Sequence, residues 1–195
     1  MTIEFKDQDD LLREERAALL IERRVKSKGR KILITEHDVV LPTGVSTTLD
    51  VIEHPGASAM VAIDDEGSVL LLRQYRYAVA EELWEVPAGT LDDDEKPLTC
   101  AKRELIEEAG VSAAKWTEMG HVVTVPGFCN ERIFLFLAEG LKSQHAEHDD
   151  DEVIYEVKAF AWSDVFDMVR DGRLSDAKSL AALWRAHLVL QQRTL

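Results

Sequence analysis

The sequence predicts a mixed α+β sandwich, and three observations predict it. Runs of β-branched and other apolar residues recur between turns rich in Pro, Gly and Asp. Three segments carry helical spacing and are bounded by Pro, Ser or Gly. The chain has 195 residues, 46% of them hydrophobic, which is enough for one buried core with a small appendage. No internal repeat or low-complexity stretch suggests another architecture.

Taken in order, residues 8–25 read as an amphipathic helix. Leu11, Leu12, Ala18, Leu19 and Val25 fall near a 3.6-residue period, and no Gly or Pro interrupts them. Residues 31–41 and 46–54 read as a hairpin around Pro42-Thr43-Gly44, and a domain boundary is expected near residue 57. Residues 59–63 and 68–73 read as a second hairpin, turning at Asp64-Asp65-Glu66-Gly67. The unbroken apolar run Val69 to Leu72 marks a buried strand. After Trp84-Glu85-Val86 and a loop, Pro97 opens a helix that Gly110 stops. Residues 116–125 and 132–138 are strands divided by Pro126-Gly127-Phe128, and 153–162 is another. Two helices close the chain, at residues 163–169 and from 175 to about 191, each introduced by a serine suited to capping.

Charge narrows the function. With 37 acidic against 23 basic residues, the net charge of −14 argues against a nucleic-acid partner. There is no apolar run long enough to span a membrane, and the N-terminus lacks a signal-peptide pattern. The two cysteines, Cys100 and Cys129, sit at no metal or redox spacing. A cytoplasmic protein is the expectation. The acids cluster instead: ten lie between Glu81 and Glu108 against three bases, and more follow at Glu147 and Asp149 to Glu152. Such clusters are either solvated surface or oxygen ligands for hard divalent cations.

The helix from Pro97 carries the informative pattern. At about 100° per residue, Leu98, Ala101, Leu105 and Ala109 make a buried stripe, while Glu104, Glu107 and Glu108 group on one flank. Like charges at these spacings repel, and Arg103 relieves only part of the repulsion. A divalent cation would relieve the rest, although an exposed Glu-rich face remains open on the helix alone. Around it, residues 89–111 read Gly89, five residues, Glu95, seven residues, Arg103-Glu104-Leu105, one residue, Glu107-Glu108, one residue, Gly110-Val111. This segment resembles the defining box of the Nudix hydrolases at every specified position.

The resemblance implies a Nudix-type α/β/α sandwich with a mixed sheet, Mg²⁺ or Mn²⁺ as cofactor, and hydrolysis of a nucleoside diphosphate linked to another group. It implies Glu104 and Glu108 as principal metal ligands, Glu107 as a further ligand or catalytic group, and the Ala88 carbonyl as an additional ligand. Arg103 and Glu95 are expected to orient the helix and its loop. Outside the box, Arg73-Gln74-Tyr75-Arg76, Glu85-Val86-Pro87-Ala88-Gly89 and Pro126, sixteen residues beyond Gly110, resemble the ADP-ribose pyrophosphatase branch. By that likeness Arg76, Glu85, Arg73 and Pro126 belong to the substrate site, where an arginine fork suits phosphate oxygens. The general base is expected in the acidic segment His145-Ala146-Glu147-His148-Asp149-Asp150-Asp151-Glu152. Glu152 aligns best, with Glu147 and Asp151 as alternatives, while His145 and His148 read as exposed loop residues.

The resulting expectation is a metal-dependent pyrophosphatase converting ADP-ribose to AMP and ribose 5-phosphate. A hydrolase of another nucleoside diphosphate sugar such as GDP-mannose is the alternative. A non-catalytic Nudix ligand sensor would be expected to lack some of the box carboxylates, all of which are present. A sanitiser of oxidised nucleoside triphosphates would need neither the N-terminal segment nor the Pro126 loop. Residues 1–57, with the helix and first hairpin, are expected to form a homodimer contact, and residues 58–195 the hydrolase domain.

Overall fold

In the computed structural model, which describes residues 17–145 and 153–193, the chain forms two compact units. Residues 17–54 and Val125–Asn130 make the first, and the rest of the described chain makes the second. The first is a three-stranded antiparallel sheet, β1 (Leu19–Lys28), β2 (Leu33–Val40) and β3 (Ser46–Glu53), in that order. β2 and β3 form the expected hairpin, paired from Leu33 opposite Glu53 to Val40 opposite Ser46. Val125–Asn130 joins this unit through an Ile52–Cys129 bridge and an Ile52 amide donating to the Phe128 carbonyl at 2.7 Å.

The N-terminal helix expectation is corrected here. Residues 19–28 are a strand, and residues 8–16 lie outside the described residues. The difference has a physical cause. β1 pairs along β2 with register shifts between Leu20 and Glu22 and between Val25 and Ser27, and such irregularities break the two-residue alternation that marks a strand. Cross-strand ion pairs then hold β1 in place: Arg24 donates to Glu36 at 2.8 Å and to Asp38 at 2.6 Å, and Arg23 reaches Glu53 at 2.6 Å.

The second unit is built on β4 (Ala57–Ile63), β5 (Val69–Arg76), β6 (Glu81–Glu85), β7 (Ala88–Thr90), β8 (Val111–Val123), β9 (Arg132–Ser143) and β10 (Ile154–Phe160). The main path runs β10-β5-β4-β9-β8, with β6 on β5 and β7 on β4. β4 and β9 are parallel while the other pairs are antiparallel, so the sheet is mixed. The β4–β5 turn forms as read, with the Asp64 amide bonded to Ser68 and Gly67 at φ 82°. Its strands pair at Ile63 and Val69, because β9 fills one edge of β4 and β7 takes the other at Ala57–Ala59.

Both faces of this sheet are covered. On one, α1 (Pro97–Ala109) buries Ala101 and Leu105 against Met60, Ala62, Phe136 and Ala138. Burial of a leucine such as Leu105 contributes about 1.5–3 kcal/mol. On the other, α2 (Trp162–Asp171) and α3 (Ala177–Gln192) bury Val165, Met168, Ala182, Leu183 and Ala186 against Val61, Leu71, Leu135 and Leu137. Pro97 opens α1 and Gly110 closes it at φ 63°, as the sequence indicated. The serine caps are not found. Ala161 precedes α2 without a side-chain cap, and Asp176, rather than Ser175, caps α3 by accepting from the Ser179 amide at 2.9 Å. Among the described residues no helix is long and apolar enough to cross a membrane.

Candidate active site

The sheet fixes where the box glutamates go. Ser58, buried on β4, donates to the Pro97 carbonyl at 2.8 Å and pins the start of α1. β7 lies on β4 with Ser58 opposite Gly89, so the backbone of Ala88 and Gly89 is drawn beside the flank of α1 that carries Glu104 and Glu108. Contact is close enough to dictate residue type. A Cβ on Gly89 would stand 1.8 Å from the Glu104 carboxylate carbon and from one of its oxygens. Glycine at 89 is therefore what lets Glu104 occupy this place.

Glu104 is 7% and Glu108 1% exposed, whereas Glu107 is half-buried. Ionised carboxylates so deep in a fold need compensating partners. The Ala88 amide donates to Glu108 Oε2 at 2.7 Å. Arg103 Nη1 donates to Glu104 Oε1 at 2.6 Å and Glu107 Oε2 at 2.8 Å. The same guanidinium binds Glu95 through Nε at 3.1 Å and Nη2 at 2.8 Å, and Nη2 reaches the Thr90 carbonyl at 3.3 Å. Arg103 thus ties the loop before the helix to two of the three glutamates. Glu95, with the Glu104 and Glu107 carboxylates beside it, raises the Arg103 pKa well above the ordinary guanidinium range. Arg103 in turn holds the Glu95 carboxyl below its usual value.

The three glutamates do not meet as a ready-made cage. Among the described residues no three His, Cys, Asp or Glu groups are gathered closely enough to hold a metal ion. Arg103 draws Glu104 and Glu107 toward itself while Glu108 turns to the Ala88 amide. The donor set still suits a hard divalent cation: carboxylate oxygens on one rigid helix, two of them buried beside backbone that a glycine leaves open. Cys100 is no competitor, since burial, with Glu104 nearby, pushes its thiol up to about 12 and keeps it neutral.

A second charged cluster adjoins this one. Glu85, at the end of β6, is 1% exposed and accepts two bonds from Arg76 on β5, Nε to Oε1 at 2.9 Å and Nη2 to Oε2 at 2.7 Å. Lys178 from α3 also contacts Glu85 Oε2 and reaches Asp176 at 3.0 Å. Ser179, fully buried, donates its hydroxyl to Asp176 at 2.5 Å and accepts from the Val86 amide at 2.9 Å. Hydrogen bonding to Glu85 raises the Arg76 pKa against its burial, and Glu108 and Asp176 add their fields, so Arg76 stands between the two clusters.

The structure therefore brings together Arg76, Glu85, Ala88, Glu104, Glu107 and Glu108. Arg73 is separate. It alternates to the other face of β5, where it pairs with Glu82 at 2.5 Å, lies 3.7 Å from Glu156 and stacks over Tyr155 at 5.5 Å. Pro126 belongs to the first unit. Glu147, His148, Asp151 and Glu152 lie outside the described residues, and His145 ends the described stretch before them. Sequence reasoning missed Lys178, Asp176 and Ser179. The one local signal was an Asp followed three residues later by Ser, a pattern that suits a helix cap.

Comparison with known proteins adds independent information. The family description NUDIX domain matches residues 53–183. The chain is 36% identical to the ADP-ribose pyrophosphatase of Bacillus subtilis (strain 168), over 80% of this chain and 84% of that one. It is 31% identical to the methanol dehydrogenase activator of Bacillus methanolicus, over 89% and 96%. It is 34% identical to the GDP-mannose pyrophosphatase of Cronobacter sakazakii (strain ATCC BAA-894), over 68% and 73%. A crystal structure of an ADP compounds hydrolase superposes with a TM-score of 0.78 at 20% identity, covering 90% of this chain and 95% of that one, and shares the fold.

Two predictions follow from the geometry. In Gly89→Ala, the atom met by the new Cβ is the mobile end of Glu104, so the fold survives with a small loss of Tm while Glu104 is displaced. Divalent-cation affinity, read by calorimetry, should fall about tenfold or more; unchanged affinity would refute the close-approach argument. The second concerns pH. Burial works against the Asp176 charge, but Lys178 and the Ser179 hydroxyl and amide outweigh it and hold the carboxyl below its ordinary value. A depressed folded pKa gives stability that is present above the unfolded value, about 3.9, and lost as pH falls through the folded one. Asp176→Asn keeps a capping side chain but removes the charge, so its Tm deficit at pH 7 should shrink toward zero near the acid limit. A deficit independent of pH would contradict this.

Proposed function

The chain belongs to the Nudix family and is a Nudix hydrolase, and from that premise we propose that it splits the diphosphate of ADP-ribose into AMP and ribose 5-phosphate. The observation that carries the proposal is the pair of buried carboxylates, Glu104 and Glu108, held beside Ala88 and Gly89 with Arg76 in their field. Nudix hydrolases generally use divalent metals, and Mg²⁺ or Mn²⁺ fits an all-oxygen donor set. Glu104, Glu108, Glu107 and the Ala88 carbonyl would hold it. When bound, such a cation neutralises charge on the diphosphate and on the departing phosphate.

The chain's own groups do the rest. Arg76 presents a planar fork to the diphosphate, and Glu85, anchored also by Lys178, orients that fork. Arg103 and Glu95 keep the box loop in register with α1. Glu152 takes the proton from the attacking water, with Glu147 and Asp151 as alternatives in the same acidic segment. Water thus adds to one phosphorus while the bridging oxygen leaves with the other phosphate. GDP-mannose pyrophosphatases among the relatives make another nucleoside diphosphate sugar the competing substrate, since the box does not read the base.

Assembly as a homodimer is part of the proposal. The first sheet leaves Leu19, Ile21, Val25 and Leu49 exposed, with Leu19 and Ile21 each at 62%, apolar surface that supports pairing with a second copy. The cysteines are free thiols, in keeping with the cytoplasm.

Activity on a panel of ADP-ribose, GDP-mannose and other nucleotide sugars with Mg²⁺ or Mn²⁺ tests the substrate. ADP-ribose should have the highest kcat/KM, and preference for another nucleotide sugar would replace it. Glu108→Gln should lower kcat about a hundredfold or more with an unchanged fold; normal turnover would overturn the ligand assignment. Glu152→Gln should lower kcat alone, and unchanged kcat would move the base elsewhere. Light scattering should give twice the chain's 22.0 kDa mass, and Ile21→Asp with Val25→Asp should halve it. A wild-type monomer would contradict the dimer.

A further inference from the structure

Gln74 sits on β5 between Leu72 and Arg76, and alternation places all three on the same face of the strand. That face is the one α1 covers, since Leu70, two positions before Leu72, packs with the Met60–Leu105 cluster. Gln74 is 2% exposed, and its Oε1 has no hydrogen-bond partner. Among the described residues it is the buried side-chain oxygen or nitrogen atom left without one. A buried carbonyl without a donor is a net cost to folding. A leucine or methionine at this position would avoid that cost, because the flanking Leu72 is apolar and the opposite residue on β6 is Leu83.

The chemistry of the unsatisfied atom restricts what can meet it. A carbonyl oxygen only accepts, so it can face neither a phosphate at neutral pH nor a carboxylate. It needs a donor, and the strand places it one alternation from Arg76, the group that addresses the diphosphate. The parts of a nucleotide sugar directly attached to that diphosphate and rich in donors are its two sugars, one on the nucleoside side and one beyond. We infer that Gln74 reads the terminal sugar, on the far side of the diphosphate from the nucleoside, its side-chain carbonyl accepting a hydrogen bond from a hydroxyl of that sugar. This rests on the nucleotide-sugar reading above and adds a specificity-determining residue to it. The free protein carries an unsatisfied acceptor that substrate completes, so position 74 favours recognition over stability.

Gln74→Met tests the inference, since it keeps the length of the side chain and removes the acceptor. The unliganded variant should melt at or above the wild-type Tm. KM for ADP-ribose should rise about tenfold with kcat nearly unchanged, while inhibition by ADP, which lacks the second sugar, stays within about twofold. A fall in Tm of several degrees would show that the carbonyl is already satisfied within the chain, and would overturn the inference. Equal effects on ADP-ribose and ADP, or none on either, would overturn it too. If the wild type prefers GDP-mannose, the ADP-ribose reading fails, and the same comparison with GDP-mannose and GDP decides Gln74. A wild type inactive on every nucleotide sugar removes both.

Discussion

The second unit depends on one steric and electrostatic constraint: a glutamate carboxylate must lie against a backbone that has no side chain. Glu104 fills the space a Cβ would take on Gly89, and Glu108 accepts from the Ala88 amide one residue earlier. Both conditions require β7 to run beside α1, which the β4–β7 pairing and the Ser58 bond to Pro97 secure. The helix is positioned by its apolar stripe, Ala101 and Leu105 on Met60 and Phe136, and the carboxylates are positioned by the helix. Packing on one side of α1 thus sets charge geometry on another.

Buried charge then organises the neighbouring elements. Arg103 balances Glu95, Glu104 and Glu107 within one stretch of sequence, and so couples the loop at Glu95 to the helix. Glu85 is balanced from two directions, by Arg76 on β5 and by Lys178 at the start of α3. With one of two cations from each of two elements, Glu85 does not depend on Arg76 alone, and Arg76 can engage an anion without leaving that carboxylate uncompensated. The Asp176–Ser179–Val86 bonds fasten the α3 terminus to the chain segment between β6 and β7. The site is therefore braced from both faces of the sheet.

How much of this the sequence revealed depends on the range of the interactions. The box helix was legible in full, because its cap residues, apolar stripe and carboxylates all follow local rules of spacing. The Arg103 contacts to Glu104, Glu107 and Glu95 are likewise short-range. Lys178 was not legible, because 93 residues separate it from Glu85 and nothing near it announces a partner. The faces of Arg73 and Arg76 were distinguishable by alternation, yet the shared arginine-rich segment masked it. β1 carries no strand signal in the sequence because two register shifts spoil its period, and its holding ion pairs come from β2 and β3. In the sequence Gln74 stands within the Arg73–Arg76 segment with no role of its own, since a glutamine in a strand carries no local signal. Only its burial without a partner marks it.

In the proposed site the buried oxygens of Glu104 and Glu108 hold a divalent cation on the rigid box helix. Manganese titration followed by electron paramagnetic resonance, on the wild type and on Glu104→Gln, measures this without reference to turnover. The wild type should show a saturable site that weakens at least tenfold in the variant, while the variant keeps its Tm within a few degrees. Equal manganese affinity in the two proteins would contradict it.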